Sequence, residues 1–321
     1  MRRIAEIYER LEGVPSRTLA VAAAADTEVL KAVAQARRKG IAQAVLFGKA
    51  GEIRRCLERT GEKAEDYRIV DCGEVGTAAR EAVRSVARGD CDVLMKGLLP
   101  SDVFLRAVLD KDCGIRKSGN ILHAVAVMEI CLEGEERLLF LTDPGFIPLP
   151  DLETKELMIR NLSALLRRLG CRMPKIAVLS ATEKVNPKIL SSVEAGELEA
   201  KNRRGELTGC VVGGPFSMDL AVSKRSARQK GFAHPVAGEA DAVLVPSLEV
   251  GNAVLKTISY LTDSSMAGCV CGTEKPIVFT SRSDSAQTKL NTIALAVLLA
   301  GQKTGDETGG DDERKIQDID G

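Results

Sequence analysis

The sequence predicts an α/β protein built from mainly parallel sheets in two domains, and three observations carry that reading. Strand-like and helix-like segments alternate nearly throughout the chain, the pattern of parallel pairing. Aromatic residues make up only 3% and Trp is absent, so Val, Leu, Ile and Ala must fill the core, as they do in parallel sheets covered by helices. At 321 residues the chain exceeds one ordinary domain and divides into about two.

The first series opens with a strand over 18–22 and a helix over 26–38, whose acidic first turn holds Thr27 and Glu28. A strand over 44–47, a helix over 52–59, a strand over 68–70 and a helix over 77–87 follow, then a strand over 92–95. The stretch 110–119 is charged and contains Gly, and 121–130 then runs extended for longer than an ordinary sheet strand, which reads as a crossing between two lobes. The second series holds a strand over 138–141, a long helix over 152–169 closed by Gly170, and strands over 175–179, 209–212, 242–245 and 277–280. The last strand and helix, 277–300, are expected to return to the first lobe. This places a first domain at 1–125 plus 277–303 and a second at 126–276. Residues 304–321 carry seven acids, two bases and four glycines with little to bury, which predicts a disordered acidic tail. Its net −5 in a chain that is neutral overall leaves +5 for the body, an excess that suits an anionic ligand.

Composition also excludes classes of partner. Basic and acidic residues balance at 45 each and aromatic residues are few, so nothing draws the chain to nucleic acid or anionic lipid. No segment is long and apolar enough to span a bilayer, and the start Met1-Arg2-Arg3-Ile4-Ala5-Glu6 becomes charged rather than entering a signal-peptide apolar run. Nine cysteines, an odd number set mostly in aliphatic segments, read as reduced thiols of a cytoplasmic protein. Cys269-Val270-Cys271 lacks a second Cys or His cluster and reads as buried filler rather than a metal ligand pair.

Ligands of open parallel sheets collect at the carboxyl ends of strands. The strand over 277–280 runs into Ser281-Arg282-Ser283-Asp284-Ser285 and then an apolar helix. Free N–H groups at a helix start, with the planar donor fork of Arg282, make an anion site there. Asp284 and Gln287 also form a plausible capping box, which accounts for Asp284 but not for Thr280, Ser281 and Arg282 together. Lys96-Gly97, Thr142-Asp143-Pro144-Gly145 and Ser180-Ala181-Thr182-Glu183 stand at other strand ends, where turn chemistry alone could explain them. Arg116 could face a cleft, although a solvated charge is the commoner role. His123 and His234 have no evident catalytic partner in sequence, and neither a G-x-G-x-x-G after the first strand nor a G-x-x-x-x-G-K-[ST] occurs.

Several stretches taken together resemble the phosphate acetyl/butyryltransferase family. They are Leu94-Met95-Lys96-Gly97, Asp143 with Pro148, Pro150 and Asp151-Leu152-Glu153-Thr154-Lys155, Val178-Leu179-Ser180-Ala181 with Val185-Asn186-Pro187-Lys188, and Gly214-Pro215 with Asp219 and Ala221-Val222. Gly238, Ala240-Asp241, Val245-Pro246, Glu249-Val250-Gly251-Asn252, Lys256, the Thr280–Ser285 run and Thr288-Lys289-Leu290 complete the set. The resemblance implies an isocitrate-dehydrogenase-like fold with an interdomain cleft, a homodimer or higher homo-oligomer, and transfer of an acyl group between coenzyme A and inorganic phosphate. It implies acyl-CoA as substrate, with no permanently bound cofactor and no metal. Catalytic roles are implied for Ser281 and Arg282, and substrate-binding roles for Arg116, Lys96, Thr280, Asp143 and Ser180. The acetyl branch tends to carry an acid seven residues after the motif Ser, where this chain has Thr288, which points to the butyryl or broader short-acyl branch. The competing readings are a phosphate acetyltransferase, an NAD-linked decarboxylating dehydrogenase on the same fold, and a non-catalytic CoA-binding protein.

Overall fold

The computed structural model describes residues 1–301, so the expected acidic tail lies outside the described residues. The first half of the chain runs α1 (Ala5–Leu11), β1 (Arg17–Ala22), α2 (Thr27–Arg38), β2 (Ala42–Gly48), α3 (Ala50–Thr60), β3 (Arg68–Asp71), α4 (Val75–Ala87), β4 (Val93–Lys96) and α5 (Ser101–Val108). It continues with β5 (His123–Leu132), β6 (Glu135–Thr142), α6 (Leu152–Arg168), β7 (Lys175–Leu179), α7 (Leu190–Arg203) and β8 (Val211–Phe216). The remainder is α8 (Met218–Val222), α9 (Lys224–Gln229), β9 (Ala242–Leu244), α10 (Leu248–Leu261), β10 (Met266–Cys271), β11 (Ile277–Val278) and α11 (Ala286–Ala300).

The strands form two sheets. The first, ordered β11-β4-β1-β2-β3, is parallel throughout. Its central strands β1 and β4 are apolar and almost wholly buried, as parallel strands covered on both faces must be. The second is ordered β10-β5-β6-β9-β7-β8, parallel from β6 to β8 and antiparallel where β5 meets β10 and β6.

That antiparallel part corrects the expected crossing at 121–130. The stretch is β5, an interior strand bonded on both sides, and it belongs wholly to the second sheet. Its run His123–Met128 is buried without interruption, the signature of a two-faced central strand, which explains why it reads as too long and too apolar for an edge. Glu133 and Gly134, both at positive φ, make a two-residue hairpin into β6. The sequence reading missed this turn and the antiparallel β10.

Helix α11 joins the two sheets. It is buried from Lys289 to Leu299, and from Ile293 onward it is apolar all round, in one continuous core with Leu19 and Val21 of β1, Val127 of β5 and Ala267 of β10. A helix with no polar face is stable only when covered on every side, and here both sheets cover it. Of its buried polar residues, Asn291 is held at both ends: its Nδ2 donates to the Met266 carbonyl at 3.0 Å, and its Oδ1 accepts from the Tyr8 hydroxyl at 2.7 Å.

Candidate active site

A cleft of about 430 Å³ opens where the carboxyl ends of β4 and β11 meet β5, β10 and one side of α10. Its first wall begins with Lys96, the last residue of β4. Gly97 then turns the chain close against β1, its N–H donating to the Ala22 carbonyl at 2.8 Å. A Cβ at this glycine would stand 2.3 Å from the Ala23 oxygen, so no other residue fits without displacing the turn. Because β11 pairs in parallel with Leu94 and Met95, Phe279 emerges beside Lys96, and the Nζ lies 5.6 Å from the ring centroid. The Lys96 side chain is buried. Burial, followed by the charges of Arg282 and Lys289, pushes its pKa below the ordinary lysine value, with only Asp26 opposing.

The loop after β11 is held from within. The Ser281 N–H donates to Asp284 Oδ2 at 2.7 Å, and buried Lys289 donates to the carbonyls of Ser281, at 3.2 Å, and of Asp284. Ser281 Oγ lies 3.1 Å from Ser283 Oγ. The cap of α11 is Ser285, whose Oγ accepts from the Thr288 N–H at 3.1 Å, and not the expected Asp284–Gln287 box. Asp284 closes the loop instead, and Gln287 reaches Asn291 Oδ1 at 2.8 Å. This bracing leaves Arg282 exposed on the cleft wall.

Helix α10 forms the opposite wall with Asn252, Leu255, Lys256 and Ser259. It is anchored at Gly251, its one buried residue, where a Cβ would stand 2.6 Å from the Asp143 carbonyl. Asn252 adds a bond to the Pro144 carbonyl at 3.4 Å.

Of the residues singled out in sequence, the structure brings Lys96, Thr280, Ser281 and Arg282 together around this cleft. Three others stand elsewhere. Asp143 is buried, its carboxylate accepting backbone N–H groups from Ala124, Gly145, Phe146 and Ile147, so it braces the loop that carries α10. Burial pushes its pKa up despite those donors. Ser180 is buried at the end of β7 against Ser191 Oγ at 3.0 Å, and Arg116 is exposed, bridging by its backbone to Thr273. Asn252, Lys256 and Ser101, given no site role from sequence, also line the cleft. Lys256 and Asn252 sit four residues apart on α10, a spacing that puts them on one helix face.

The cleft therefore presents the cations Lys96, Arg282 and Lys256, and its one carboxylate, Asp284, is already engaged by a backbone N–H. A larger cavity of about 700 Å³ lies beyond α10, lined by Glu129, Glu136 and Asp263 but by no Lys or Arg. The charges of the first suit an anion, and those of the second do not.

Residues 57–297 match the family described as Phosphate acetyl/butaryl transferase. The Phosphate butyryltransferase of Clostridium acetobutylicum is 42% identical, over 93% of this chain and 98% of that one. The Phosphate acetyltransferase of Thermotoga maritima is 39% identical, over 88% of this chain and 95% of that one. The crystal structure of a branched-chain phosphotransacylase from Enterococcus faecalis V583 superposes with a TM-score of 0.78 at 30% identity, covering 88% of this chain and 99% of that one.

Proposed function

Since this chain belongs to the phosphate acetyl/butyryl transferase family and is an acyltransferase acting between CoA thioesters and phosphate, we propose that it prefers a short acyl group of about butyryl length and that the reaction takes place in the cleft between its two sheets. The observation that carries the site is the buried Lys96 ammonium, set beside Arg282 and Lys256 with no free carboxylate facing them.

Inorganic phosphate is already an oxyanion nucleophile at neutral pH, so holding it in place matters more than a strong base. Arg282 grips it through two parallel N–H donors, and Lys96 supplies a point charge in a poorly solvated position. A phosphate oxygen attacks the thioester carbonyl carbon, forming the C–O bond. The tetrahedral intermediate then collapses with cleavage of the C–S bond, and the electron pair leaves on the CoA thiolate. Ser281 Oγ–H and nearby N–H groups meet the charge that develops on the carbonyl oxygen or the departing sulfur. Ser180, Asp143 and Arg116 have no contact role in this scheme; Asp143 acts by holding the Pro144–Gly145 loop.

An assay of thiol release from acyl-CoA with and without phosphate tests the reaction. Arg282→Gln is expected to raise the KM for phosphate at least tenfold and to lower kcat, since a charge-assisted bidentate contact is worth about 1.5–3 kcal/mol. Near-parent kinetics would overturn the assignment of Arg282. A phosphate acetyltransferase is the second reading, favoured by the 39% identical relative of that name. The ratio of butyryl-CoA to acetyl-CoA turnover separates the two, and Thr288 on the cleft lining supports the longer chain.

The wider expectations extend the same reading. An isocitrate-dehydrogenase-like arrangement in two domains is supported by two sheets with the cleft between them and by β11 and α11 returning to the first. A crystal structure in which β11 and α11 pack apart from the first sheet would argue against it. Self-association is supported by α10, which leaves Val250, Tyr260 and Leu261 exposed, and light scattering reads the mass directly. A cytoplasmic setting is supported by cysteines that all stand unpaired; titration of the purified protein that finds disulfides would count against it.

A further inference from the structure

The cleft is not uniform along its length. One end gathers Lys96, Lys256, Ser281 and Arg282, and the other is lined by Ala126, Leu255, Met266 and Gly268. Strands β5 and β10 are antiparallel, with Ala126 opposite Gly268 and Met128 opposite Met266. Residues directly opposite in such a pair share one face of the sheet. On this face, then, two large side chains are followed by a position where a methyl group and a hydrogen face each other. Leu255 of α10 packs against the same face, in the core cluster that holds Ala126, Met128 and Met266. The result is a slot with α10 above it, small residues beneath it and Met266 across its end.

Gly268 is not explained by backbone conformation, since its φ does not lie in the left-handed region. A Cβ there would meet only the Val125 oxygen at 3.3 Å and the Phe279 oxygen at 4.0 Å, with nothing else within 4 Å. A glycine inside a strand weakens it and fits where a backbone or a ligand comes close; here the Val125 carbonyl is near on one side, and Gly268 keeps the cleft floor low on the other.

We infer that this slot takes the acyl chain of the thioester and that Met266, with Leu255, sets how long that chain can be. Beyond them lies the cavity of about 700 Å³, whose apolar lining includes Ile130, Leu139, Val254 and Ile258. Met266 precedes β10 residues of the slot and follows Ser265 of that cavity, so it stands at the partition between the two. The inference rests on the acyltransferase reading and adds the residues that select the substrate. The thioester carbonyl sits at the cationic end, and each methylene of the acyl group reaches one step further towards Met266.

The test compares kcat/KM for acetyl-CoA, butyryl-CoA and hexanoyl-CoA at saturating phosphate in the parent, Ala126→Leu and Met266→Ala. Filling the slot with Ala126→Leu lowers the butyryl-to-acetyl ratio roughly tenfold or more, the discrimination that one or two methylenes support in an apolar pocket. Removing the partition with Met266→Ala raises the hexanoyl-to-butyryl ratio by a similar factor. Leu255→Phe narrows the slot from the helix side and replaces Ala126→Leu if that variant does not fold. Ratios within twofold of the parent in folded variants overturn the inference. A parent protein that releases no thiol from any of the three overturns the acyltransferase reading itself, so the two failures are distinct.

Discussion

Lys96 has a depressed pKa because burial and the charges of Arg282 and Lys289 disfavour its protonated form. The sign of the consequence follows. Below the depressed folded value the buried ammonium costs stability. As pH rises from that value towards the ordinary lysine value, the unfolded chain holds the extra proton and the cost is relieved. At the proposed site phosphate reverses the preference, because a bound anion favours the ammonium. The kcat/KM for phosphate is therefore expected to fall on the alkaline side below the ordinary lysine range, and Lys96→Arg should remove that limb. A pH profile of the two proteins, measured with butyryl-CoA held constant, checks it; an unmoved limb assigns the titration elsewhere. Lys96, Thr280, Ser281 and Arg282 were legible in sequence because each ends a strand or begins the loop after one, where packing does not call for polar groups. Asp143 and Ser180 also end strands, yet they turn inward to backbone N–H groups and to Ser191, and nothing local distinguishes the two outcomes. Lys256 carries the family resemblance but no sign of a site role, for another reason: its place depends on how α10 docks, which a distant loop decides.

The docking of α10 is a matter of one residue. Gly251 lets the helix lie on the Asp143–Pro144 backbone, and the rest of the helix is exposed or half-buried. Gly251→Val should push α10 off this loop, carrying Asn252 and Lys256 out of the cleft. Because so little of the helix is buried, the stability loss should stay near the 1–3 kcal/mol typical of overpacking, while the KM for acyl-CoA rises several-fold or more. Denaturant unfolding and steady-state kinetics on the same preparation separate the two effects, and a loss of stability without a change in KM would remove α10 from the site. Strand β5 shows where element-level reading fails. Its apolar run was visible, but an antiparallel hairpin interrupts the alternation of strand and helix, and its turn is Glu-Gly rather than the more recognisable Asn-Gly. The β–α–β units of the first sheet follow the alternation, which is why β1 to β4 and the helices between them are legible in sequence.

At the scale of the molecule, the core is continuous from β1 through α11 to β10. A change in α11 is felt by both sheets. Leu295→Ala, at a fully buried position, should cost about 2–5 kcal/mol. Both sheets should lose it together in a single calorimetric transition shifted to lower temperature. Two transitions, one of them at the parent temperature, would show that α11 serves only one sheet.

The placement of β11 and α11 has a further consequence, for the chain as it is made. The first sheet has four of its strands by Lys96, but its fifth, at the end that carries Phe279 and the Arg282 loop, is Ile277–Val278. A ribosome must deliver the whole second sheet before that edge can close, and until then the apolar faces waiting for α11 are open on both sheets. The first sheet, and the cleft it shares with the second, are thus completed only after β11 and α11 have left the ribosome.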